Sequence, residues 1–272
     1  MTQDASATST SPTPQLGTLI TCPSGLSGRI RGFKVKDEST ITDARLVRSG
    51  QLFSTLLRSV WLETTDPGPY ETPAGGRLDW EKAAAADRFY VLIQARIATH
   101  GSTYEFRLPC PQDTCRHVIL HNVELEAMDL LPMAEEMRET LRSGGTCTTR
   151  LRDGRQVRFR AMTGVDDKAL TAIQRQNPQD LMTSALLRRI VEIEGVGPHP
   201  GAIKDAFENL DGPEADDLRD HIETLEGGYK TDFDLECESC GALVRTVLPL
   251  EPGFFSSRRR FSANSTARAG SA

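Results

Sequence analysis

The sequence predicts an α+β fold: a zinc-ribbon-like pair of β-knuckles with a helical insertion and an N-terminal strand–helix region. Two stretches predict the knuckles. "STYEFRLPCPQDTCRHVILHNVEL" places Cys110 and Cys115 at a turn between two extended runs, and "KTDFDLECESCGALVRTVLPL" places Cys237 and Cys240 in the same way. The chain between these pairs carries several helical patterns, so it is predicted to be an insertion.

The two cysteine pairs have the composition of a structural zinc site, which takes four ligands. A tight turn lets both sulfurs of a pair point at one metal, and Gly241 supplies the backbone freedom that the second turn needs. Disulfides or a redox pair are the alternative. Six cysteines in 272 residues are too few for a disulfide scaffold, and "MTQDASATSTSPTPQ" lacks the apolar core of a signal peptide. We therefore expect Zn²⁺ bound by Cys110, Cys115, Cys237 and Cys240.

Four further residues deserve comparison with this site. His117 and His121 follow Cys115 closely, and either could replace a thiolate ligand, although a single histidine on a strand is more often structural. Cys22 and Cys147 stand alone in the sequence. A free cysteine commonly behaves as a small buried residue, and this interpretation is favoured for both.

Residues 17–124 are predicted to form an N-terminal α+β region that includes the first knuckle. It begins with a strand, a Pro-Ser-Gly turn and a second strand. A helix is predicted over "STITDARLVRSGQLFSTLLRSVWLETT", because its apolar residues recur at spacings of three, four or seven. A second helix is predicted over "LDWEKAAAADRFYVLIQARIATHG", with Asp79 as its cap and Gly101 after its end.

Residues 125–228 are predicted to form the insertion. A short helical piece over "EAMDLLPMAEEMRETLRSGG" is predicted to be broken near Pro132, and Asp153-Gly154 between alternating runs predicts a hairpin. Helices are predicted over "VDDKALTAIQRQ", "DLMTSALLRRIVEIEG", "HPGAIKDAFENL" and "GPEADDLRDHIETLEGG". Residues 229–256 then hold the second knuckle and a C-terminal strand.

Both ends of the chain are predicted to be disordered. Residues 1–16 are rich in Ser, Thr and Pro, and the basic tail 257–272 has almost nothing to bury. The composition between them is that of an ordinary soluble protein, with 38% hydrophobic and 26% charged residues and no apolar run of about 20 residues that could span a membrane.

The sequence carries no recognisable catalytic motif. It lacks H-E-x-x-H, G-x-S-x-G, a P-loop and a dinucleotide fingerprint. A zinc ion held by four cysteines has no open position for water or substrate. We therefore expect a structural or interaction protein and not an enzyme. The net charge of -6 argues mildly against a nucleic-acid binder that works by bulk electrostatics.

The order of these features resembles the baseplate hub and tail-assembly family of contractile phages, the T-even-type baseplate proteins. That family has an Asp before a Leu/Ile-rich helix and an Arg, then a small-Gly-x-x-Tyr strand that leads into a cysteine pair. The matching residues are Asp87, Leu92, Ile93, Arg96, Gly101, Tyr104, Cys110 and Cys115, followed by Cys237, Cys240, Phe254 and Phe255. The resemblance spans roughly residues 18 to 255. It departs from the family at the first pair, where C-x-x-C is common.

The resemblance implies a non-enzymatic structural or assembly protein of a baseplate hub, in a phage, a prophage or a phage-derived injection particle. Its implied partners are hub, spike, wedge or tape-measure proteins, and its implied place is the virion or contractile particle, assembled in the bacterial cytoplasm. In "PLEPGFF", neighbouring side chains of an extended segment point in opposite directions. We therefore expect one ring of Phe254 and Phe255 to pack on the chain's own knuckle and the other to fill a partner's pocket.

Two other functions stay open. A zinc-ribbon adaptor would bind nucleic acid, or another protein, through its arginines. An enzyme would use Cys22 or Cys147 as its nucleophile.

The predicted metal would join residues 110–115 to residues 237–240, and we expect it to act as a clamp on the insertion.

Overall fold

The computed structural model describes residues 17–72, 77–176, 181–250 and 252–256. The two termini predicted to be disordered, 1–16 and 257–272, lie outside the described residues. Within them the fold is mixed α and β, with small antiparallel sheets, as predicted. None of the described helices is both long and apolar enough to cross a membrane.

The N-terminal region combines a three-stranded antiparallel sheet, in the order β1-β2-β3, with four helices. Its long helix α4 is buried along most of its length. The elements are β1 (Thr18–Thr21), β2 (Ser27–Ile30), α1 (Val35–Ile41), α2 (Ala44–Ser49), α3 (Leu52–Val60), β3 (Trp61–Asp66) and α4 (Ala85–His100).

The first predicted helix is divided into three short helices and a strand. Asp43 caps α2 by accepting a hydrogen bond from the N–H of Arg45, at 2.7 Å, so a new helix begins inside the predicted one. Gly50 ends α2 with φ +68°, a left-handed conformation that glycine adopts without strain. Helix α4 begins later than predicted, because Asp79 accepts from the N–H of Glu81 within a turn that precedes the helix.

Two antiparallel hairpins carry the cysteine pairs. The first consists of β4 (Thr103–Pro109) and β5 (Val118–Glu124), and the second of β11 (Asp232–Glu236) and β12 (Leu243–Val247). Their inner faces meet through aromatic contacts. The rings of Phe106 and Phe233 lie 5.9 Å apart, and His121 lies 5.4 Å from each of them.

The insertion between the hairpins contains a second three-stranded sheet, in the order β7-β8-β9, surrounded by helices. The predicted hairpin is confirmed, with Gly154 at φ +91° in its turn. The elements are β6 (Leu130–Leu131), α5 (Glu135–Ser143), β7 (Cys147–Arg150), β8 (Gln156–Phe159), α6 (Gly164–Gln176), α7 (Leu181–Arg189), β9 (Ile190–Ile193), α8 (Pro200–Glu208), α9 (Gly212–Glu226) and β10 (Gly228–Tyr229).

The sequence predicts residues 190–193 as the end of a helix, but in the structure they form strand β9. Helix α7 stops at Arg189, and the next four residues pair with β8. Ile190 and Ile193 are buried in the core of the insertion, and β-branched side chains pack well on a sheet. Burial in the tertiary structure therefore favours a strand for this segment over the helix that its sequence pattern predicts.

The described residues form two separate hydrophobic cores. The first unites the N-terminal region with both hairpins, and the second lies almost wholly inside the insertion. Polar contacts join the two halves without the hairpins: the buried Arg88 donates to Asp167 at 2.9 Å, and the N–H of Ala85 donates to the carbonyl of Met162 at 2.8 Å. The insertion is thus a folded unit with its own anchors.

The expectation that one of the two phenylalanine rings near the C-terminus faces a partner is wrong for this structure. Pro252–Phe255 forms a 3₁₀ turn and not an extended strand, and both Phe254 and Phe255 are 1% exposed. Phe254 packs edge-on against Tyr104, with ring centroids 4.8 Å apart, and Phe255 against Phe33 at 5.6 Å. The turn places both rings in the chain's own core, so neither is an accessible partner anchor.

We expect Phe255→Ala to lower the free energy of unfolding by about 3–5 kcal/mol, since a fully buried ring is replaced by a cavity. Denaturant titration followed by circular dichroism measures the change. Val35→Ala is the control, because Val35 is 82% exposed and its truncation is expected to change stability by less than about 0.5 kcal/mol. A Phe255→Ala protein as stable as the control would contradict the core position of this ring.

Candidate metal centre

The four predicted cysteines come together at one point. The sulfurs of Cys110, Cys115, Cys237 and Cys240 all lie within 4.8 Å of one another. The distance is 3.6 Å between Cys110 and Cys240 and 3.8 Å between Cys115 and Cys237, so both short pairs join the two hairpins. Four sulfurs about 2.3 Å from a tetrahedral metal would be separated by about 3.8 Å.

The first cysteine turn is held by its own backbone. The N–H of Cys110 donates to the carbonyl of His117, and that of Cys115 to the carbonyl of Gln112, both at 2.9 Å. The N–H groups of Gln112 and His117 in turn hydrogen-bond to the sulfurs of Cys110 and Cys115. The turn therefore presents both sulfurs on one side and supplies each with a donor that stabilises a thiolate.

The second turn repeats this arrangement in fewer residues. The N–H of Cys237 donates to the carbonyl of Ala242 at 2.9 Å, and the N–H of Gly241 donates back to the carbonyl of Cys237 at 2.8 Å. Gly241 has φ +70°, which confirms the backbone role expected from the sequence. The N–H of Ala242 hydrogen-bonds to the sulfur of Cys240.

Crowding of the sulfurs pushes their pKa values apart. The N–H of His117 and neighbouring side chains lower the pKa of Cys115 to about 7. The N–H of Ala242 acts in the same direction on Cys240, but loss of solvent and the three neighbouring thiols outweigh it and raise the pKa of Cys240 to about 12. One thiolate therefore forms easily and opposes the next, and a bound cation would remove that opposition.

The site encloses its ligands unevenly. Cys110 and Cys237 are buried, Cys115 is half-buried and Cys240 is exposed. All six cysteines are free thiols. Four protein thiolates fill a tetrahedral coordination sphere, so a metal held here keeps no open position for substrate or water. This chemistry suits a structural ion.

The two histidines near the first turn do not belong to the cluster. Among the described residues, the potential ligand atoms grouped at this point are the four sulfurs. His121 instead packs between Phe106 and Phe233 on the inner faces of the hairpins. His117 contributes its backbone to the turn.

Helix α4 positions the first hairpin through a buried arginine. Arg96 donates from one terminal nitrogen to the carbonyl of Gly101 and from the other to the carbonyl of Thr103, at 2.9 Å for the latter. Its guanidinium also lies over the rings of Tyr104 and Phe254. These contacts fix the point at which the chain leaves α4 and enters β4, and hence the direction in which it reaches Cys110.

A second buried polar group secures the other end of α4. Asp87 is fully buried and accepts hydrogen bonds from the hydroxyls of Ser24 and Tyr70, both at 2.5 Å, and from the N–H of Ser24 at 3.1 Å. Burial raises the pKa of Asp87, while these hydrogen bonds act in the opposite direction. Composition and periodicity do not single out Ser24 or Tyr70 as functional residues, and only the resemblance indicates Asp87.

Cys22 and Cys147 lie outside the cluster, at 3% and 1% exposure, as their single occurrence in the sequence predicts. Burial raises the pKa of Cys22 well above its ordinary value and that of Cys147 to about 11. Both thiols are therefore protonated at neutral pH, which makes them weak nucleophiles.

Comparison of the chain with known protein families found no family that matches it. Curated proteins and solved structures gave no match either.

We expect one metal ion per chain in protein purified without added metal, and its loss in Cys240→Ser, because three thiolates leave the coordination sphere incomplete. Elemental analysis of the folded protein measures both. Cys147→Ala is the matched control, since it removes a buried thiol that lies outside the cluster and should leave the metal content unchanged. Wild-type protein that is folded and free of metal would contradict the site.

Proposed function

We propose that the cysteine cluster is a zinc-ribbon-like structural centre, and that the chain is a non-enzymatic structural or assembly protein of a contractile-tail baseplate hub. The observation that carries the first part is the convergence of four sulfurs from two hairpins that are far apart in the sequence. The second part rests on the order of features that resembles the baseplate family.

Zinc is the metal that we assign to the site. Tetrahedral four-thiolate sites take zinc or iron, and zinc brings no redox chemistry of its own. The groups that act on the sulfurs include the N–H groups of Gln112, His117 and Ala242 and the side chain of Ser239, which are donors without redox chemistry. A colourless protein with zinc in elemental analysis would support this assignment, and a coloured iron protein would oppose it.

The proposed role of the zinc differs from a clamp on the whole insertion. The insertion has its own core and is anchored by Arg88 on Asp167 and by backbone bonds such as Met133 to Pro23. In the described part of the chain each hairpin forms a two-stranded sheet, and isolated two-stranded hairpins are marginally stable. The metal therefore acts mainly on the hairpins, which it holds face to face.

The residues that carry the resemblance have structural surroundings. Asp87, Leu92, Ile93 and Arg96 are all buried on α4, where Asp87 and Arg96 hold the chain segments before and after that helix. Their burial supports a structural framework shared with the baseplate family more than a reactive site shared with that family. It agrees with a protein whose task is to present surfaces to other components of an assembly.

The nucleic-acid adaptor is less well supported. The outer face of β11 carries Asp232, Asp234 and Glu236, all exposed, directly beside the second cysteine turn. A phosphate backbone would be repelled by this row of carboxylates. A protein partner remains compatible with it.

Cys237→Ser should raise hydrogen exchange in the two hairpins while the core of the insertion keeps its protection, because only the hairpins lose their link. Exchange measured by mass spectrometry on residues 103–124 and 232–247 should increase clearly. Peptides that cover β8 and α9 are the internal control. Loss of protection throughout the insertion would restore the clamp interpretation.

The baseplate role predicts that the chain is needed for particle assembly in its native host. Deletion of the gene should abolish complete contractile particles, as seen by electron microscopy, and expression of the wild-type chain should restore them. Cys237→Ser should restore them poorly and Cys147→Ala fully. Normal particles after deletion would reject this role, even if the zinc site is confirmed, so the two parts of the proposal fail separately.

A further inference from the structure

Strand β12 has an open edge. Within the described part of the chain, the second hairpin contains β11 and β12 alone, so β12 has a strand on one side only. The N–H of Leu248 donates to the carbonyl of Thr231, which fixes the alternation of hydrogen bonds along the ladder. The strand residues whose backbone N–H and C=O groups point away from β11 are therefore Leu243, Arg245 and Val247.

The side chains of these same residues lie on the outer face of the hairpin. Leu243 is 78% exposed and Val247 is 47% exposed, which leaves two aliphatic side chains in solvent beside unpaired backbone groups. Between them, Arg245 donates to Asp234 of β11 at 3.0 Å. An open edge with exposed aliphatic residues is a template for pairing with another strand.

We propose that β12 pairs with β12 of a second copy of this chain, antiparallel and centred on Arg245, so that two hairpins form one continuous four-stranded sheet. A two-fold axis then places Leu243 opposite Val247 of the partner subunit, and the reverse. Every outward N–H and C=O of the three residues finds a partner across the axis. This proposal is separate from the baseplate role.

The charges along the sheet are compatible with this register. The axis brings the two Arg245 side chains together, which alone would be unfavourable. Each is already paired with Asp234 of its own hairpin, so the central row reads acid, base, base, acid and is neutral. The two rows beside it join aliphatic residues to aliphatic residues.

The first strand of each hairpin does not offer such a pairing. Strand β11 presents Asp232, Asp234 and Glu236 along its outer face, so pairing with itself would oppose like charges. Strand β4 ends in Pro109, which has no N–H to donate. Both edges are therefore unsuited to a second copy.

The edge of β5 is open but not self-complementary. Antiparallel pairing of β5 with itself over its full length would place Val118 opposite Glu124 and Leu120 opposite Asn122 of the partner subunit. Each aliphatic side chain would then face a polar one. In β12, by contrast, antiparallel pairing of the strand with itself places each outward aliphatic side chain opposite another aliphatic side chain.

Sedimentation velocity of the full chain with its metal bound, from low micromolar to submillimolar concentration, tests the proposal. We expect a reversible monomer–dimer equilibrium. Replacing Leu243 and Val247 with lysine should weaken the dimer at least about tenfold, because both cross-strand aliphatic pairs that the two-fold axis creates are lost. The matched control replaces Leu19 and Leu62 with lysine, at 56% and 49% exposure on the N-terminal sheet, and should dimerise like the wild type.

Arg245→Glu tests the register. The substitution turns the central row into four carboxylates, so the variant should not pair with itself. A tagged wild-type chain should still retain the variant, because the new glutamate of the variant then faces Arg245 of the wild-type chain. Unchanged metal content and circular dichroism show that each variant is folded. A wild-type chain that is monomeric throughout, equal weakening by the control, or normal self-association of Arg245→Glu would each overturn the proposal.

Discussion

The convergence of four sulfurs within 4.8 Å is the constraint on which the arrangement of the two hairpins depends. Each cysteine turn is fixed locally by backbone hydrogen bonds, but a local turn positions only two sulfurs. The other two come from a hairpin that the chain reaches after the whole insertion has been built. The N-terminal region and the insertion must therefore both be folded in register for the site to form.

Buried polar groups on α4 help to fix the relative positions of these parts, together with apolar packing. Asp87 holds the turn between β1 and β2, Arg88 holds the insertion through Asp167, and Arg96 holds the start of β4. All three are almost completely buried, and a buried polar group is costly unless its partners are in place. A misplaced insertion would leave the buried Arg88 without Asp167, which favours a single arrangement of the insertion on the N-terminal region.

The packing of the two hairpins also explains which of their surfaces stay exposed. The inner faces of the two hairpins pack the buried Phe106 against the half-buried Phe233, and the metal would hold them together, so the outer faces and strand edges are left to solvent. In β11 those outward positions are acidic, and in β12 they are largely aliphatic. The hairpin that completes the metal site therefore also presents the surface most suited to a further strand.

The sequence by itself determined the local features. It located the four cysteines, their turns and the glycine of the second turn, because strand alternation and turn chemistry act over a few residues. It also located α4, the hairpin at Gly154 and the helices of the insertion. Only the tertiary structure decided that Phe254 and Phe255 are buried, that residues 190–193 form a strand, and that the insertion has its own core and anchors. These outcomes depend on contacts between distant segments, such as Phe255 with Phe33 and Arg88 with Asp167, and no local pattern contains the identity of a distant partner.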